Sequence, residues 1–182
     1  MKNKMYLSRI LALVSIIMTQ TAIFAATDLW TGGGGSASPF WLNTANWNPA
    51  GIPQSGDSLI FTNTTSLINS NNIPPANGIF NSITFATPSG AFTLNGNSVT
   101  VTNISDLQVV TPESINLPIT DNGNLNVNVT ASGILNLNNV ISGTGADRIS
   151  AQATRDAVSA RRSDDGEALG LVGQVQRHRR GE

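Results

Sequence analysis

Three absences limit what this 182-residue sequence can do. The chain has no cysteine, so it has neither disulfides nor a thiolate nucleophile. Residues 26–145 also contain no lysine, arginine or histidine. This body therefore cannot form a Ser-His-Asp triad or a Schiff base, and it lacks the imidazole and thiolate ligands that zinc prefers. We predict that the protein is not an enzyme and holds no cofactor.

Charge is scarce and divides the chain into three unlike segments, although the formal net charge is only −1. Residues 1–25 carry three basic residues and no acid. Residues 26–145 carry five acids and no base, whereas residues 146–182 carry seven arginines and six acids. Such abrupt changes predict segments with separate roles.

The first segment has the pattern of a secretory signal peptide. Its basic start precedes an apolar run over 10–18, and small residues follow at Ala22, Ala25 and Ala26. We place cleavage after Ala25, with cleavage after Ala26 as the near alternative. The apolar run is shorter than the roughly 20 residues of a membrane-spanning helix, so an uncleaved anchor is the less favoured interpretation. We expect a secreted or outer-surface protein with no membrane span after signal removal.

Residues 79–145 alternate apolar residues with asparagine and threonine. Leu125, Val127 and Val129 alternate with asparagines, so on a strand they share one face. We expect the following side chains to point into a core: Leu125, Val127, Leu135 and Leu137. Turn-forming residues separate the apolar runs at Pro88-Ser89-Gly90, Asn95-Gly96-Asn97, Asp121-Asn122-Gly123 and Ser132-Gly133.

Closely spaced short strands predict an all-β fold. The repeated asparagines favour a β-solenoid similar to a parallel β-helix, because amides in stacked rungs hydrogen-bond to those above and below. A β-sandwich of two antiparallel sheets is the alternative.

All three tryptophans, Trp30, Trp41 and Trp47, lie in residues 26–78. If buried, they would cap the open end of the solenoid, which is the interpretation we favour. If exposed, they would stack on sugar rings. The glycine run over 32–35 is not a phosphate loop, because no Lys-Ser/Thr pair follows it.

The order of motifs from Trp30 to Phe61 resembles the N-terminal region of bacterial autotransporter-associated β-strand repeat proteins. The shared elements are Trp-Thr-Gly-Gly, Trp, Asn-Trp, Pro, Gly-Asp and Ile-Phe. Phe80-Asn81-Ser82-Ile83-Thr84-Phe85 and Val140-Ile141-Ser142-Gly143-Thr144-Gly145 fit the same family. The resemblance covers roughly residues 28–145. It implies a large secreted or surface passenger built as a β-helix, and it brings no catalytic motif.

The chain departs from this pattern after Gly145. Residues 146–182 contain no asparagine, proline or aromatic residue, and we predict that they are disordered or weakly helical. Three interpretations remain: a basic tail that contacts nucleic acid or an acidic surface, a helix over 151–162, or a segment translated out of frame. We favour the last, which leaves the solenoid incomplete. An intact single frame in the gene, with no glycine-rich repeat in another frame, would contradict it.

The remaining chemical candidates are weak. A glycosidase needs two carboxylates facing one cleft, and no local motif pairs the five acids. Asp121-Asn122-Gly123-Asn124 is an oxygen-rich loop that fits calcium, although a simple turn is the commoner explanation. His178 lies in the tail, where we expect it to be solvated.

Two functions follow. The first is a secreted or cell-surface structural or adhesive passenger fragment without catalysis. The alternative is an extracellular carbohydrate-binding module that uses Trp30, Trp41 and Trp47. The expected partners are surface glycans or other cell-surface proteins, and not nucleic acid.

Overall fold

The computed structural model describes residues 25–130, 133–143, 148–151 and 157–162. Almost all of its regular structure is β, as predicted, apart from a 3₁₀ turn at Thr44–Asn46. The described strands are β1 (Thr27–Trp30), β2 (Trp47–Asn48), β3 (Ser58–Phe61), β4 (Ile68–Asn71), β5 (Ile79–Phe85), β6 (Thr93–Gly96), β7 (Val99–Asp106), β8 (Pro112–Ile115), β9 (Ile119–Val129), β10 (Ile134–Ser142), β11 (Arg148–Ala151) and β12 (Ala157–Arg162).

The strands stack into parallel columns, which makes the fold a β-solenoid of about four turns. The first column contains β1, β3, β5, β7, β9 and β11. The second column contains β4, β6, β8, β10 and β12. A third, shorter column joins the starts of β5, β7 and β9 to the end of β10. Because only β1 and β2 pair antiparallel among the described strands, the β-sandwich alternative is wrong.

Each turn of the solenoid uses a similar length of chain. In the first column Ser58 pairs with Ser82, Ser82 with Asn103, and Asn103 with Asn126. These partners are 24, 21 and 23 residues apart in the sequence. Rungs of similar length place equivalent residues above one another, so a residue type that suits one rung suits the next.

The core is a set of stacked apolar columns. Leu59, Ile83, Ile104 and Val127 are aligned in successive rungs, and all four are buried. The four side chains that the alternation assigns to the interior, Leu125, Val127, Leu135 and Leu137, are each at most 1% exposed. Their inward orientation is therefore confirmed.

The segment Asp121-Asn122-Gly123 does not end a strand, although its composition predicts a turn there. It lies within β9, at a register shift where Val101 and Asn103 of β7 pair with Asp121 and Asn126. Gly123 has a φ of +106°, a conformation that favours glycine. The turn-forming residues thus make a bulge at a corner of a continuous strand.

Two short segments of the C-terminal tail are extended rather than disordered or helical. Arg148–Ala151 pairs with β9, and Ala157–Arg162 pairs with β10, both in parallel. They continue the first and second columns by one further rung. The rest of the tail, including His178, lies outside the described residues, as does the predicted signal peptide before residue 25. Within the described ranges, the chain forms no helix of the length and hydropathy that a membrane span requires.

Candidate functional site

The three tryptophans form one buried cluster at the N-terminal end of the core. Trp30 and Trp41 are 0% exposed and Trp47 is 2% exposed. The ring centroids of Trp30 and Trp47 are 5.1 Å apart, and those of Trp41 and Trp47 are 5.9 Å apart, both edge to face. Phe61 packs against all three indoles. This geometry is the favoured one for aromatic pairs in a core.

Each indole N–H of the cluster is satisfied inside the protein. Trp30 Nε1 donates to the Ser66 carbonyl at 3.2 Å. Trp41 Nε1 donates to Asn69 Oδ1 at 2.8 Å, and Trp47 Nε1 donates to the Trp41 carbonyl at 2.8 Å. A sugar-stacking platform needs an exposed ring face, and none of the three rings has one. The arrangement is that of an end cap and gives no support to a carbohydrate-stacking role for these residues.

The glycine run beside the cluster allows two backbone segments to approach closely. Gly32 has a φ of +63°, and a Cβ on Gly33 would lie 2.4 Å from the Ala45 carbonyl oxygen. The backbone N–H of Gly34 donates to Asn46 Oδ1 at 2.7 Å. Side chains would not fit at Gly32, Gly33 and Gly34, whereas Gly35 has open space but a φ of +73°. Packing and backbone conformation therefore explain the run without a ligand.

The five carboxyl side chains among the described residues are all buried. Their exposed fractions range from 0% to 6%, for Asp28, Asp57, Asp106, Glu113 and Asp121. Since residues 26–145 contain no basic side chain, the described surface of the solenoid up to residue 143 carries no charged side chain. Its polar character comes from amides and hydroxyls alone.

Two of these acids, Asp28 and Asp57, form what we call the N-terminal acid pair. Asp57 Oδ1 accepts a hydrogen bond from the Ala26 backbone N–H at 2.7 Å, and its Oδ2 accepts one from the Gln54 N–H at 2.6 Å. Burial, the hydrogen bond with Asp57 and the charge of Asp57 raise the pKa of Asp28 from 3.8 to about 6. Asp28 Oδ2 is buried without a hydrogen-bond partner.

Asp106 and Glu113 form a second pair, the mid-solenoid acid pair. Both occupy inward positions that other rungs fill with apolar residues, since Asp106 is aligned with Phe85 and Val129, and Glu113 with Leu135. Each is 0% exposed. Glu113 accepts a short hydrogen bond from the Phe92 N–H. Asp106 Oδ1 accepts one from the Gln108 N–H at 2.9 Å.

Glu113 has a strongly perturbed proton affinity. Burial first, and then the charge of Asp106, raise the pKa of Glu113 from 4.5 to about 8, against the opposing effect of the Phe92 hydrogen bond. Glu113 is therefore mostly protonated at neutral pH. Because both members of the pair are enclosed, a polysaccharide chain cannot reach them, and the pair does not form a glycosidase cleft.

The outer face of the second column carries an asparagine ladder, defined by Asn95, Asn116 and Asn138. Asn138 Nδ2 donates to Asn116 Oδ1 at 2.9 Å, and Asn116 Nδ2 donates to Asn95 Oδ1 at 2.9 Å. Asn95 Nδ2 reaches the Asn69 carbonyl at 3.4 Å. The stacking of amides expected for a solenoid is thus present on its surface.

A shallow cleft of about 380 Å³ lies between the cap and the loop before β5. Leu42, Ile52, Pro53, Ile73 and Pro74 provide most of its apolar lining, and no ionisable side chain lines it. Its polar lining consists of the neutral side chains of Gln54, Ser55 and Asn77.

Asp121 does not show a calcium cage. Its Oδ1 accepts a hydrogen bond from the Gly123 backbone N–H at 2.8 Å, as in an Asx turn. Among the described residues, no three of the acidic, histidine or cysteine side chains cluster as metal ligands would.

Comparisons with protein-family models, curated proteins and solved structures find no match to this chain. Sequence reasoning found the tryptophans, the inward-facing residues and the stacked asparagines. It missed the burial of the five acids. The one feature of the sequence that could have indicated this burial is that residues 26–145 contain no basic residue.

Proposed function

We propose that this chain is a secreted or cell-surface structural or adhesive passenger fragment that performs no catalysis. The carrying observation is the exterior: a parallel solenoid whose described surface up to residue 143 bears stacked amides and hydroxyls and no charged side chain. Such a surface forms many weak, interchangeable hydrogen bonds, which suits attachment better than selective turnover. On the sequence resemblance, we propose that it is the N-terminal part of a passenger similar to the autotransporter-associated β-strand repeat proteins.

The cap supports the same proposal. A stack of rungs exposes its core and its unpaired strand edge at each end unless something covers them. Here the N-terminal end is filled by Trp30, Trp41 and Trp47, and β2 pairs antiparallel with β1 at the outer edge of the sheet. This builds a finished N-terminal end, from which a solenoid extends in the C-terminal direction.

Export is tested by producing the full chain in a bacterial host and adding protease to intact cells. We expect the chain in the medium or exposed to the protease, and we expect a variant lacking residues 2–25 to remain inside and protected. A full-length chain that stays in the cytoplasm would contradict the proposal.

Adhesion is tested with beads coated with the purified chain and washed over a neutral polysaccharide. The matched variant changes Asn95, Asn116 and Asn138 to aspartate, which adds three like charges to the ladder without changing side-chain size. We expect fewer variant beads to be retained at low salt. Equal retention of both bead types would exclude the ladder as the adhesive face.

A further inference from the structure

The N-terminal acid pair lies directly beside the predicted signal-cleavage point. The backbone nitrogen of Ala26, 2.7 Å from Asp57 Oδ1, belongs to the peptide bond that joins Ala25 to Ala26. The Ala26 carbonyl accepts a hydrogen bond from the Ser58 N–H at 2.8 Å, so Ala26 is held on both sides. Ala25 and Ala26 are themselves exposed. The scissile bond is therefore at the surface, while its nitrogen contacts a buried carboxylate.

We propose that removal of the signal after Ala25 turns Ala26 into an ammonium group that binds the N-terminal acid pair and fixes the first strand of the exported chain. This inference rests on the proposed export and cleavage. In the covalent step a signal peptidase adds water across the Ala25–Ala26 peptide bond. The carboxylate stays on the leaving peptide, and the amine stays on Ala26 and takes up a proton at neutral pH.

The charges of Asp28 and Asp57 favour an ammonium group as their partner. Asp28 is 5% exposed and Asp57 is 3% exposed, and residues 26–145 contain no basic side chain to compensate them. Two buried carboxylates side by side repel one another unless a proton or a cation lies between them, and this repulsion adds to burial in raising the pKa of Asp28. Asp28 Oδ2 is buried and has no hydrogen-bond partner. An ammonium has three donors, whereas the peptide N–H that it replaces has one.

The geometry also distinguishes between the two cleavage points that the sequence leaves open. Cleavage after Ala25 preserves the nitrogen that contacts Asp57. Cleavage after Ala26 would remove both this nitrogen and the carbonyl that pairs with Ser58. The ion pair therefore requires the first of the two.

The α-amine of Ala26 can be modified selectively after signal removal, because the only lysines of the chain are Lys2 and Lys4. A chain of residues 26–182, released from a fusion directly before Ala26, has its α-amine as its single amino group. Acetylation removes the positive charge of this amine, whereas reductive methylation keeps it and serves as the matched control. Urea unfolding at pH 7 then compares the three forms.

We expect acetylation to lower the folding equilibrium constant about tenfold and methylation to change it little, which corresponds to a rise of about one unit in the α-amine pKa above its usual 7.7–8.0. The effect of acetylation should shrink in Asp28→Asn and persist in Asp121→Asn, which removes a buried carboxylate elsewhere. The rate of labelling as a function of pH gives the amine pKa even if Asp28→Asn fails to fold. Equal unfolding of the acetylated and methylated forms, with an ordinary amine pKa, would overturn the ion pair.

N-terminal sequencing of the exported full chain completes the test. A chain that begins at Ala26 supports the inference, and one that begins at Thr27 or elsewhere overturns it while leaving export intact. A chain that is not exported at all defeats the proposed function, whereas the labelling result above depends only on the charge of the amine. The two failures are therefore distinguishable.

Discussion

The first turn of the solenoid and its middle turn fill equivalent interior positions with opposite kinds of side chain. In the first column Trp30, Phe61 and Phe85 occupy successive rungs, and Asp106 occupies the next. The end of the stack needs bulk, because it has no further rung to cover it. The middle needs no such bulk, and there two acids replace apolar residues. The same backbone thus holds a cluster of buried indoles at one end and a buried pair of acids at its centre.

The largest loss of stability should come from disrupting the N-terminal tryptophan cluster. Replacing Trp41 with alanine removes a fully buried indole that contacts Trp47, Phe61 and Phe80. We expect the free energy of unfolding to fall by about 3–5 kcal/mol, measured by urea denaturation. The control is Phe40→Ala, next in the chain but 44% exposed, which should cost less than about 1 kcal/mol. Equal losses in the two variants would show that the indoles do not fill the end of the core.

The next effect should come from the mid-solenoid acid pair. Because the folded-state pKa of Glu113 is raised from 4.5 to about 8, the folded state binds its proton more tightly than the unfolded state does. The stability from this group is fully present below about pH 4.5 and is lost as the pH rises through about 8. Glu113→Gln keeps an acceptor for the Phe92 N–H and cannot ionise, so it should remove this dependence.

The measurement is the free energy of unfolding between pH 6 and 9, a range above most of the Asp28 window, which runs from 3.8 to about 6. The wild-type chain should lose stability across this range, and Glu113→Gln should lose less. Asp121→Asn serves as a control that should keep the wild-type slope. Parallel profiles for the wild-type chain and Glu113→Gln would contradict the assignment.

The smallest effect should come from the asparagine ladder, which runs along the outside of the later turns. Asn116→Ala removes one donor to Asn95 and one acceptor for Asn138. We expect the free energy of unfolding to fall by about 1–2 kcal/mol, since two hydrogen bonds are lost and each contributes about 1 kcal/mol net. Asn48→Ala, at an exposed position in β2, is the control and should be nearly neutral. A neutral Asn116→Ala would make the ladder a surface feature without a part in stability.

The contrast between the two regions also separates what sequence could predict from what it could not. Strict alternation fixed the inward faces of Leu125 and Val127, since a strand has only two faces. At Gly123 the local composition predicts a turn, whereas the structure has a bulge within a strand. Glycine and asparagine favour turns and bulges alike, so composition does not distinguish the two. The burial of Glu113 depends on residues 21 and 22 positions away, Phe92 and Leu135, which a local pattern does not reveal.

Acrylamide quenching of tryptophan fluorescence tests the central claim most directly, because the chain's three tryptophans are all in the N-terminal cluster. The tryptophan fluorescence therefore reports on this cluster alone. We predict quenching several-fold weaker than that of free tryptophan in the folded chain, full quenching in urea, and no change when soluble glycans are added. Strong quenching in the folded chain, together with a glycan-dependent shift of the fluorescence, would contradict the burial of the three tryptophans and favour a carbohydrate-binding surface.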